Sequence, residues 1–205
     1  AGRAELDPLK QALTKALKDL PRGTLVQTQT ELGPMAGSVR EIQEQMDITQ
    51  GNLVMGFRTG TTSKDADYPA MLLMNGIFGG GLNSKLFMNV REKLSLCYYA
   101  SSGLDRFKGI MLVSSGVDTK NYETAKAEIL HQLEDCRAGN ITDEELESAR
   151  NYLCTSLKSS GDSLARMEDF WLSQEIGGFT YTPEELEEAL TQVTLEQVRK
   201  AAEKC

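Results

Sequence analysis

The sequence predicts an α+β domain of two layers, an antiparallel sheet covered by helices. Three observations carry this. Short apolar runs with strand-like alternation, joined by short turns, fill the chain up to Val117 and favour antiparallel pairing. Beyond Asp118 the apolar spacing turns helical and stays so. Helices come in groups instead of alternating strictly with strands, which argues against a doubly wound sheet. Apolar residues make up 40% of the 205, enough for a core, and no solenoid period recurs.

Taken in order, Leu9, Leu13, Ala16, Leu17 and Leu20 recur at helical spacing, and Pro21-Arg22-Gly23 ends that helix. No strand precedes it, so residues 1–23 read as the tail of a preceding domain. Residues 24–38, polar and holding Gly33-Pro34 and Gly37, read as a linker. The domain proper is expected over 39–205. Val39 to Ile48 alternates imperfectly, and Leu53, Met55 and Phe57 alternate after the turn residues Thr49 to Asn52. Together they read as two strands, plausible partners in a hairpin. Asp65 to Phe78 is apolar on most sides, the profile of a buried helix. Leu82, Leu86, Val90 and Leu94 mark the stripe of a second helix. Strands follow over Cys97–Leu104 and Gly109–Val117, joined by Asp105 to Lys108.

Tyr122, Ala125, Ile129, Leu133 and Cys136 then form one helical stripe, stopped at Gly139-Asn140. Three capping boxes open later helices, at Thr142–Glu145, Thr182–Glu185 and Thr194–Gln197. In each the threonine hydroxyl can accept from the backbone amide three residues on while the acid or amide side chain there returns to the cap amide. Leu146, Ala149, Leu153 and Leu157 continue the first of these. Leu164, Met167, Phe170 and Trp171 build another helix, ended near Gly177-Gly178.

Composition excludes several functions. The net charge of −8 repels phosphate backbones, and no basic patch offsets it, so nucleic acid is not an expected partner. No apolar run reaches the roughly 18–20 residues that span a bilayer, and the first residues lack a signal-peptide pattern. Four scattered cysteines without a C-x-x-C pair read as reduced thiols, which places the chain in the cytoplasm. His131 is the single histidine and lies within a helical stripe, where a surface or packing role is expected. One histidine rules out chemistry built on histidine pairs, and no metal site is expected.

The stretch FGGGLNSKLFMNVREKLSLCYYASS holds the candidate site. Gly79, Gly80 and Gly81 do not fit a phosphate loop: no Gly-Lys-Ser follows and no strand precedes. They read as a break between two helices that permits positive φ and close backbone approach. Arg91 borders the apolar stripe of its helix and Tyr98 starts the next strand. Two readings stand for them. Arg91 pairs with Glu92 or a neighbour while Tyr98 packs, or both side chains turn to one locus and offer donors to a peptide carbonyl or oxyanion. The many glutamates after Asp143 fall in first turns and on solvated faces, and none is assigned to acid–base work.

Residues 53–202 resemble the M16 metallopeptidases, the pitrilysin, insulinase and mitochondrial-processing-peptidase family. DADYPAMLLMNGIFGGGLNSKLFMNVREKLSLCYYASS is similar to that family's long glycine-containing motif, and NITDEELESARNYLCTSL and TLEQVRKAAEK fit later family helices. The resemblance implies a LuxS/MPP-like fold and a peptidase of two homologous domains. One carries H-x-x-E-H and binds zinc. The other lacks those ligands and contributes an arginine and a tyrosine, seven residues apart, to substrate contact. Arg91 and Tyr98 match that pair, with Gly79, Gly80 and Gly81 as the loop beside substrate. H-x-x-E-H is absent here. The resemblance therefore implies a non-catalytic, substrate-binding domain, inactive alone, with zinc on a partner domain in cis or in a second subunit, as in paired bacterial subunits. It also implies that the domain ends short of its closing strand. The alternative is a zinc-free scaffold or regulatory subunit.

Overall fold

A computed structural model describes residues 4–24, 30–34, 37–48, 50–179 and 181–205. Parts of the expected linker (25–29 and 35–36) and the turn residue Thr49 lie outside these. Helix α1 spans Leu6–Ala16 and buries none of its residues. The sheet has three strands, β1 (Gly51–Arg58), β2 (Cys97–Asp105) and β3 (Ile110–Val117), in the order β1-β3-β2, both pairs antiparallel. Gly51 pairs with Val117 and Arg58 with Ile110 along β1–β3. The β2–β3 hairpin closes through Asp105, whose carboxylate accepts from the amides of Phe107 and Lys108 at 3.1 Å each. Gly109 follows at φ +58.

One expected strand does not form. Val39 to Ile48 is irregular, with Val39 95% and Ile42 87% exposed. Its expected partner, β1, pairs with β3 instead. Alternation marks a segment able to bury one face, but a strand exists only where an edge pairs with it.

One sheet face carries Leu53, Met111, Val113, Val117 and Ala100 into the core. The helical layer lies on that face. Helix α2 (Tyr68–Asn75) touches β2 and three later helices, so it is buried nearly all round, as its apolar profile requires. It runs on as a π-helical turn, Gly76–Gly80, and a second π-helical stretch covers Leu86–Lys93. Helices α3 (Tyr122–Ala138), α4 (Asp143–Ser160), α5 (Leu164–Gly177), α6 (Pro183–Gln192) and α7 (Leu195–Glu203) complete the layer. The α3 stripe Ala125, Ile129, Leu133 and Cys136 is fully buried, and Gly139 caps the helix at φ +79. All three capping boxes form.

Two helical stripes are narrower than the sequence suggests. Leu86 and Val90 are buried but Leu82 and Leu94 are exposed, since the helix covers only Leu86–Lys93. In α5, Leu164, Met167 and Trp171 face solvent, Phe170 alone of the expected stripe packs against the core, and Ser173, Gln174 and Gly177 are buried. Gln174 explains the inversion: it holds the chain at Tyr181 through both main-chain groups, which fixes the buried face. Among the described residues no helix is long and apolar enough to cross a membrane.

Candidate functional site

The glycines sit where the helical layer meets the sheet. A Cβ on Gly79 would lie 2.6 Å from Ser102 Oγ, 2.7 Å from the Ser102 amide nitrogen and 2.8 Å from Leu86 Cδ1. The main chain of the π-helical turn therefore rests directly on β2. Gly80 faces Asn75, whose Oδ1 accepts from Ser102 Oγ at 2.8 Å. None of Gly79, Gly80 or Gly81 has a positive φ, and Gly81 is extended at φ −148. The expected positive φ is thus corrected: what this run requires is close approach. The helix does end at Gly81, as expected.

Between the Leu86–Lys93 helix and β2 the chain reverses within three residues. Ser95 adopts φ +49, a conformation non-glycine residues rarely take, and the Leu96 amide donates to the Val90 carbonyl at 3.1 Å. The pairing of β2 with β3 then shifts register between Cys97 and Tyr99, leaving Tyr98 as the extra residue of a bulge. A bulge re-aims a side chain. Tyr98 and Tyr99 are consecutively exposed, where a regular strand would send one inward.

Arg91 and Tyr98 are brought together by this reversal. Arg91 Nε donates to the Tyr98 carbonyl at 2.9 Å, its Nη1 lies 2.9 Å from Glu92 Oε1, and its guanidinium stacks 4.7 Å above the Phe87 ring. The pairing with Glu92 is the one the sequence suggested. The packing of Tyr98 is not: the residue is 64% exposed. Nη2 of Arg91 has no hydrogen-bond partner among the described residues.

Gly79, Gly80, Gly81, Arg91 and Tyr98 all line one open cleft of about 380 Å³. Its walls also include Phe87, Tyr99 and Tyr152, which sequence reasoning missed. Phe87 and Tyr99 had a signal, one helical turn before Arg91 and one residue after Tyr98. Tyr152 had none, since only tertiary packing carries α4 over Gly81. Tyr99 reaches across the sheet to Asn52, donating to Oδ1 at 2.6 Å. No carboxylate, histidine or thiol lines the cleft. It can donate hydrogen bonds and present a fixed positive charge, but it holds no proton carrier for neutral pH.

Outside the cleft, burial pushes the Cys97 thiol up, with Ser115 and Arg91 opposing. His131 is exposed on α3 with Asp135 3.9 Å away, a helix-surface residue. No cluster of three or more metal-ligating side chains occurs among the described residues.

Comparison with known proteins bears on the family and the fold. The family model for the peptidase M16 inactive domain matches residues 1–153. A probable inactive metalloprotease, YmfF, from Bacillus subtilis is 35% identical over 165 residues, 80% of this chain and 39% of that protein. The chain thus spans about two fifths of that relative's length. A conserved protein from Enterococcus faecalis V583 superposes with a TM-score of 0.82 at 31% identity, over 95% of this chain and 47% of that one. A peptidase M16 inactive domain from Pseudomonas fluorescens shares the fold, with a TM-score of 0.67 at 24% identity over 76% of this chain and 38% of that one.

Proposed function

The chain belongs to the peptidase M16 inactive-domain family, and on that premise we propose that it holds peptide substrate for an M16-type zinc endopeptidase. The observation that carries this is the convergence of the glycine run, Arg91 and Tyr98 on one open cleft. An extended peptide crossing the cleft meets partly exposed main chain at Gly80 and Gly81, while the missing Cβ of Gly79 lets that loop rest on β2. Arg91 and Tyr98 supply donors for a substrate carbonyl, and for the oxyanion that develops on it. Zinc and its activated water belong to a homologous H-x-x-E-H domain, in cis or in a second subunit. Residues 1–23 then form the end of the preceding domain and 24–38 the linker. The protein works in the cytoplasm, where its four free thiols stay reduced.

A second reading is favoured by one finding, the name of the B. subtilis relative as a probable inactive metalloprotease. On that reading the parent protein is zinc-free and serves as a scaffold or regulatory subunit. Zinc content of the full-length parent, purified with whatever copurifies, separates the two. The first reading expects about one zinc per parent chain or per copurifying partner, and peptide hydrolysis that Arg91→Ala lowers by roughly 10²–10³. Zinc in neither chain, or an unchanged rate in the variant, overturns it.

A further inference from the structure

The cleft does not end at the glycines. Gly81, Leu82 and Tyr152 also wall a larger groove of about 920 Å³, which runs between the glycine loop and the exposed face of α4. Its floor is apolar, formed by Ile77 and Ala149, with Leu82 and the half-exposed ring of Tyr152 at its sides. No lysine, arginine or histidine lines it, whereas three glutamates do. Two of these are neutralised: Glu145 by Lys85 at 2.8 Å and Glu147 by Arg150. Glu144 makes no ion pair among the described residues, so the groove keeps a net negative rim.

We propose that this groove is a second subsite for the same extended peptide, that it accepts a large apolar or aromatic side chain, and that it rejects acidic ones. The inference rests on the peptide-holding reading above. The shared wall makes the two clefts continuous, so one extended chain passes from Arg91 and Tyr98 over Gly81 into the groove. Gly81 matters to that passage. A Cβ there would meet the Tyr152 ring at 3.7 Å, ordinary contact distance, so Gly81 and Tyr152 are close neighbours in the wall that the two clefts share. Tyr152 stacks on the incoming side chain, and the apolar floor rewards its burial. The uncompensated Glu144 repels a carboxylate, which discriminates by repulsion and not only by fit.

The test captures a random dodecapeptide library on the full-length parent protein and sequences the bound pool. Wild type is expected to enrich Phe, Leu, Tyr and Trp, and to deplete Asp and Glu, by at least about fivefold at one position. Thr155→Trp, which fills the groove from the exposed face of α4, should erase that preference, while capture of peptides that lack a large apolar residue stays within about twofold. Glu144→Lys, a rim substitution, should reverse the depletion of acids. Arg91→Ala should lower the total bound. A wild-type pool without positional preference, or a preference that survives Thr155→Trp, overturns the subsite. If Arg91→Ala alone reduces binding, the peptide-holding reading stands and this inference falls. If wild type captures no peptide, both fall.

Discussion

Gly79 has no room for a methyl group. Its missing Cβ would sit within 2.8 Å of the Ser102 main chain and side chain and of Leu86, in a fully packed part of the core. Gly79→Ala should therefore cost about 1–3 kcal/mol, the range for overpacking a well-filled site, read as a lower urea midpoint at constant slope. Gly81→Ala is the control. Its nearest neighbour is the Tyr152 ring at ordinary contact distance, so its stability should stay within about 0.5 kcal/mol of wild type. Equal losses in both variants would refute the assignment of Gly79 to close approach. Arg91 and Tyr98 were legible as possible donors from their chemistry and place in the chain, and the glycine run as a loop beside substrate only through the family resemblance. That Gly79 abuts a strand and that Tyr98 occupies a bulge was not, because both depend on which residues β2 meets across space.

Helix α4 shows how element-level signals are read. Thr142 Oγ1 accepts from the Glu145 amide at 3.1 Å, and Glu145 Oε2 accepts from the Thr142 amide at 2.9 Å. The same carboxylate reaches Lys85, which is only 8% exposed and begins the helix that carries Arg91. One capping box thus also anchors the site-bearing helix. Thr142→Ala should destabilise the protein by about 1 kcal/mol and lower Tm by about 2–4 °C, whereas Thr142→Ser should restore most of the loss. Circular dichroism melting checks this, and an unchanged Tm for the alanine variant would show that the cap contributes nothing. Capping boxes were legible because every group involved lies within four residues. The strand expected over Val39–Ile48, and all but Phe170 of the apolar face expected of α5, failed for the opposite reason. Each needs a distant partner, and periodicity does not say whether one is there.

Across the whole molecule, burial raises the thiols of Cys136 and Cys205 from 9.0 to about 12. The folded state keeps both protonated where the unfolded chain loses its protons. Their contribution is intact below about pH 9 and declines as pH rises from there toward 12. Urea midpoints should accordingly fall above pH 9, and Cys136→Ala should show a shallower fall than wild type. Parallel curves for the two would remove Cys136 from the pH dependence. The same burial keeps Cys136 inert to thiol reagents in the native state. The amino-acid sequence by itself determined the fold class, most element positions and the capping boxes, because these rest on local propensity, periodicity and short-range hydrogen bonds; the candidate site came from the family resemblance. Only the tertiary structure decided that β1 pairs with β3, that the reversal at Ser95 sets the Tyr98 carbonyl on Arg91, and that α4 brings Tyr152 beside Gly81. Those outcomes follow from close packing between segments far apart in the chain, where the sterics of one segment are set by another.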